Sequence, residues 1–80
     1  MKISNAVKMR IANLCESRGI TPNALSYTCG VSQSTIKSIL NDESKNPTIA
    51  TIKKICDGLD ITIFDFFNDE LFYDLEQEIQ

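Results

Sequence analysis

Gly30 constrains this chain more than any other residue, because the heptapeptide Gly30-Val31-Ser32-Gln33-Ser34-Thr35-Ile36 separates two short stretches of helical pattern. A tight corner between two packed helices needs a residue at positive φ, and only glycine takes that conformation without steric cost. After the corner, Val31 offers an apolar side chain to tuck beneath it. Ser32 can accept a hydrogen bond from an early backbone N–H, so a new helix is expected from Gln33. Upstream, Thr21 suits the capping position and Pro22 the first helical residue, where the missing N–H of proline would have lacked a partner anyway. The first helix of the pair is therefore expected over Pro22 to Cys29.

Leu25, Cys29, Val31, Ile36, Ile39 and Leu40 supply the apolar positions of this unit. Gln33, Ser34, Thr35, Lys37 and Ser38 have no core to enter and are expected to face outward. Two short helices joined by a glycine corner, the second with a polar outer face, read as a helix-turn-helix, an arrangement that points to duplex DNA.

At 80 residues the chain forms one domain. Folding at this size buries only about 60% of the accessible surface, which favours a small helical bundle. From Ser4 to Arg18, Val7, Ile11, Leu14 and Cys15 mark one buried stripe, and Gly19 stops that helix. The segment Asn41-Asp42-Glu43-Ser44-Lys45-Asn46-Pro47 has the composition of an exposed loop. Thr48 is the expected cap of a fourth helix carrying Ile49, Ile52, Ile55 and Cys56, with Leu59 nearby and Gly58 and Asp60 closing it. Thr62 and Asp65 resemble a capping box for a short fifth helix whose Ile63, Phe66 and Phe67 are candidates for burial. Beyond it, Leu71, Phe72, Leu75 and Ile79 are spaced for a sixth, amphipathic helix. The expected organisation is a DNA-binding unit over residues 1–68, followed over 69–80 by an acidic helix. That helix either completes the core or provides a dimer contact through those four apolar residues.

The net charge of −3 runs against DNA as a partner. Residues 1–64 nevertheless hold all eight basic side chains against five acidic ones, a net +3, and residues 65–80 hold six carboxylates and no basic residue. A modestly basic face with an acidic tail held away from phosphates fits that asymmetry. Within the loop, Asp42 and Glu43 oppose phosphate binding and imply salt-sensitive affinity. Lys53 and Lys54 read as a solvated helix face.

The chain has three widely spaced cysteines and no histidine. Cys15, Cys29 and Cys56 therefore read as reduced core residues, and no metal site or cofactor is expected. Lack of histidine also removes the commonest general base, so an enzyme is not expected. No apolar run approaches the roughly 18 residues that cross a bilayer, and the start of the chain lacks a signal-peptide core, so a cytoplasmic location is expected.

Several motifs together resemble the Cro and phage-repressor helix-turn-helix family, also called XRE, over residues 5 to about 67. They are Gly19-Ile20-Thr21, Leu25, the heptapeptide Gly30 to Ile36, Asn46-Pro47-Thr48-Ile49 and the run Leu59 to Phe67. The resemblance implies an all-α, compact, five-helix bundle of the lambda-repressor type, here followed by the short sixth helix, with the third helix in the major groove. It implies base contacts by Gln33, Ser34, Thr35, Lys37 and Ser38, glutamine being suited to bidentate pairing with adenine. The Thr28 or Thr35 methyl would add at most a peripheral contact. Asn23, Ser32, Asn41, Ser44, Lys45 and Asn46 would hold phosphates. The implied function is a sequence-specific regulator of double-stranded DNA, expected to be a repressor, with neither a membrane nor a small-molecule substrate as partner. The alternative is a protein-interaction module on the same fold, such as an antitoxin-like or regulatory partner subunit.

Two positions depart from the family pattern. Pro22-Asn23 stands where glutamine is common near the start of the second helix, which puts a usual phosphate contact in doubt. Ser26 replaces the common alanine, and its extra hydroxyl is expected to bond a preceding backbone carbonyl.

Overall fold

The computed structural model describes residues 1–41 and 46–79. Among these the chain forms five α-helices: α1 (Ile3–Arg18), α2 (Pro22–Cys29), α3 (Gln33–Leu40), α4 (Ile49–Gly58) and α5 (Ile63–Phe67). A single 3-10 turn over Glu70–Phe72 follows. Each of the four later helices begins where a hydroxyl can replace a missing backbone partner. Thr21, Ser32, Thr48 and Thr62 accept hydrogen bonds from the N–H groups of Ala24, Thr35, Thr51 and Asp65. At α5 the bond is reciprocated, for the Asp65 carboxylate accepts from the Thr62 N–H, completing the expected capping box.

The core is built from the stripes read in the sequence. Val7, Ile11, Leu14 and Cys15 of α1 meet Leu25 and Cys29 of α2, Ile36 and Ile39 of α3, Ile52, Ile55 and Cys56 of α4, and Phe66 of α5. Ile63, expected inside, remains 36% exposed, because a five-residue helix presents only one narrow face and Phe66 occupies it. All three cysteines are buried free thiols. Burial pushes the Cys15 and Cys56 thiols up, with Cys29 adding to the first and Asp57 to the second, so both stay protonated and unreactive at neutral pH.

Gly30 has φ 70°, the left-handed corner that the sequence demanded, and its N–H donates to the Ser26 carbonyl. Gly58 serves a different end. It is the last residue of α4 without a positive φ; Asp60, at φ 57°, makes the left-handed turn instead. A Cβ at position 58 would lie 2.7 Å from Cys29 Cβ and 2.8 Å from Cys29 Cα. Glycine there lets α4 touch the backbone of α2 directly. Gly58→Ala is therefore expected to force the two helices apart at a cost of about 2 kcal/mol. A thermal melt should show a midpoint lowered by roughly 10 °C; an unchanged midpoint would mean that the contact yields freely.

The tail departs from expectation. Among the described residues 69–79 no α-helix forms: one 3-10 turn over Glu70–Phe72 stands in its place. Helical spacing would stack Glu70, Asp74 and Glu78 along one face, and like charges at i,i+4 repel. The chain instead starts a tight turn at Asp69, whose Oδ1 accepts from the Leu71 N–H at 3.0 Å. Phe72 then packs against the rings of Phe66 and Phe67, and farther along the Glu76 N–H donates to the Met1 carbonyl. Leu71, Phe72, Leu75 and Ile79 consequently do not share the helical face proposed for a dimer. Phe72 packs against the core, Leu71 and Leu75 are half-buried, and Ile79 is exposed.

Candidate nucleic-acid interface

The first turn of α3 is organised by Ser32. Its Oγ accepts from the Thr35 N–H at 3.2 Å, donates to Thr35 Oγ1 at 2.9 Å and lies 3.3 Å from the Ser34 hydroxyl. The Ser32 and Thr35 hydroxyls are thus engaged with one another. The outward face of α3 is left to Gln33, Ser34 and Lys37, all solvent-exposed, while Thr35 and Ser38 are half-buried.

One open groove gathers much of the expected site. It runs between the N-terminus of α2 and the outer face of α3, with Asn23 on one wall and Gln33, Ser34, Lys37 and Asn41 on the other. Three residues expected at base edges and two expected at phosphates therefore share a concave surface. The replacement of a usual glutamine by Pro22-Asn23 leaves an amide at the mouth of this groove, since Asn23 is exposed in the first turn of α2. Asn41 sits at the C-terminal end of α3, its N–H donating to the Lys37 carbonyl.

Other expected contacts lie elsewhere. Asn46 lines an apolar groove with Ile3, Val7, Ile49 and Phe67, away from the Gln33 groove. Ser44 and Lys45, with the acidic pair Asp42 and Glu43, fall outside the described residues. Thr28 directs its hydroxyl back to the Ala24 carbonyl, and the Ser26 hydroxyl donates to the Asn23 carbonyl at 2.8 Å, as its sequence position suggested. Lys53 and Lys54 are exposed, and Lys53 pairs with Asp57 on the same helix.

Tyr27 is not among the residues that the sequence motifs single out. It is 82% exposed and lines a second groove with Ser32 and Gln33 on the other side of the helix corner. The signal was present, for Tyr27 lies one helical turn after Asn23 on the face that α2 does not bury.

A family model described as the Cro/C1-type HTH DNA-binding domain matches residues 10–70. Among solved structures, the chain is similar to an HTH_3 family transcriptional regulator from Vibrio cholerae. The TM-score is 0.77 and the identity 34% over 85% of this chain and 38% of that one. It is also similar to prophage Lp1 protein 11, with a TM-score of 0.80 and 32% identity over 94% of this chain and 100% of that one. The chain thus spans well under half of the Vibrio cholerae regulator and the full length of the prophage protein. No curated protein matches it.

Proposed function

Because the chain belongs to the Cro/C1-type helix-turn-helix family of DNA-binding regulators, we propose that it acts as a sequence-specific repressor, with α3 in the major groove of double-stranded DNA. The observation that carries this reading is the shared groove that Gln33, Ser34 and Lys37 line together with Asn23 and Asn41. Gln33 and Ser34 would read base edges, Lys37 would reach farther along the groove, and the two asparagines would fix register on phosphates. Such a protein works by occupying its site rather than by chemistry, and it acts in the cytoplasm.

Residues 1–68 form the DNA-binding unit in this proposal, and the segment from Asp69 onward closes its small core. The seat of Phe72 on the rings of Phe66 and Phe67 supports that division.

Selection of a random duplex pool at about 50 and 150 mM salt tests the proposal, because phosphate-driven binding falls steeply over that range. Enrichment of one motif is expected; no enrichment at either salt would favour the protein-interaction module. A palindrome would mean that two copies bind together, and a single half-site that one copy suffices. With the motif in hand, Gln33→Ala is expected to lose about 1–3 kcal/mol of binding and to relax choice at one base pair. An unchanged base preference, read by repeating the selection, would move the recognition register away from Gln33.

A further inference from the structure

Tyr27 is a large aromatic residue left 82% exposed on a helix whose other large apolar side chain, Leu25, is fully buried. It lies beside the helix corner in a groove formed with Gly30, Val31, Ser32 and Gln33. Gln33 lines this groove and also the one that holds Asn23. Asn23 and Tyr27 are four residues apart on α2, about 6 Å along the helix axis, so they share its outward face and flank Gln33 from opposite sides. Both carry neutral polar ends that donate hydrogen bonds, and the phenol stands at the end of a stiff ring with few rotamers to lose.

We infer that Tyr27 is a positioning residue for DNA recognition, its phenolic O–H donating to a backbone phosphate next to the base pair that Gln33 reads. This rests on the placement of Gln33 in the major groove proposed above. The spacing of Asn23 and Tyr27 suits neighbouring phosphates of one strand, so α2 holds the backbone at two points while Gln33 reaches inward between them. A neutral hydroxyl displaces no counterion of its own. Its loss therefore weakens binding without altering the salt dependence that lysine contacts create.

The test compares the full chain with Tyr27→Phe on the duplex recovered by selection, using phosphate-ethylation interference and titration at several salt concentrations. The phenyl ring preserves the exposed surface, and circular dichroism confirms that the variant is folded. Loss of interference at one phosphate beside the Gln33-dependent base pair is expected. Affinity should fall about five- to tenfold on the selected and on singly mismatched duplexes alike, with an unchanged salt slope. Interference and affinity identical to those of the unmodified chain would overturn the inference. So would a changed base preference, which would place the phenol at a base edge rather than a phosphate. Failure of the underlying placement is separately visible, since Gln33→Ala would then leave base preference unchanged in the parent protein.

Discussion

Phe66→Ala is expected to remove about 4 kcal/mol of folding stability, the largest effect of any substitution considered for this chain. Phe66 is fully buried, and its ring stands edge-on to Phe67 at a centroid distance of 4.9 Å and tilted toward Phe72 at 6.2 Å. Truncation removes the apolar surface of a whole ring, empties the centre of this aromatic cluster and leaves a cavity that the helices around it fill only in part. A domain of this size has on the order of 4–12 kcal/mol to lose. Urea unfolding followed by circular dichroism should show most or all of the cooperative transition displaced to very low denaturant. Phe66→Leu, which refills much of the volume, should recover more than half of the loss. Phe64, two residues earlier and 74% exposed, makes a stringent control: Phe64→Ala should change stability by less than about 0.5 kcal/mol. Equal effects at the two positions would contradict the placement of α5.

That contrast within Phe64-Asp65-Phe66-Phe67 shows what was legible in the sequence and what was not. The helix starts could be read because capping is local. Thr21, Ser32, Thr48 and Thr62 each act on a backbone N–H three residues ahead. The outward face of α3 was legible for the same reason, as helical spacing separates Gln33, Ser34 and Lys37 from Ile36 and Ile39. Interactions between distant segments left weaker traces. Gly58 looked like a helix stop, although its reason is the approach of Cys29 on another helix. The apolar spacing of the tail is helical, but the repulsion of Glu70, Asp74 and Glu78 opposes that helix. The polar loop gives Asn46 the look of a phosphate contact and gives no sign of the apolar groove that it lines against α1. The exposure of Tyr27 follows from its place one turn after Asn23, but the groove that it shares with Gln33 depends on how α2 and α3 cross.

Arg10 is the clearest case of a charge whose role the sequence misstates, and Arg10→Ala is expected to destabilise the fold by about 3 kcal/mol. In a count of charges it joins the basic face. In the structure its guanidinium reaches the C-terminal end of α5 instead. Nε donates to the Phe66 carbonyl at 2.7 Å, Nη2 to the Asp65 carbonyl at 2.9 Å and Nη1 to Asp69 Oδ2 at 3.1 Å. A five-residue helix is too short to persist unaided, and among its last carbonyls only those of Phe64 and Asp65 receive a backbone bond from the described residues, both from the Asn68 N–H. One planar cation supplies donors to two of them, opposes the negative end of the helix dipole and pins the start of the tail through Asp69. The side chain is only 15% exposed, and one of its acceptors, the Phe66 carbonyl, belongs to a fully buried residue, so removing it leaves that oxygen without its donor. Arg10→Lys should recover a minor part of the loss, because a single ammonium cannot match the three-directional fork. Thermal melts and DNA titrations of the same variants separate this clamp from a binding role. Arg10→Ala should lower the melting midpoint by well over 10 °C, yet bind DNA below that midpoint with unchanged affinity and salt slope. A stable Arg10→Ala protein with a salt slope reduced by about one would instead make Arg10 a phosphate contact and leave α5 held by its apolar face alone.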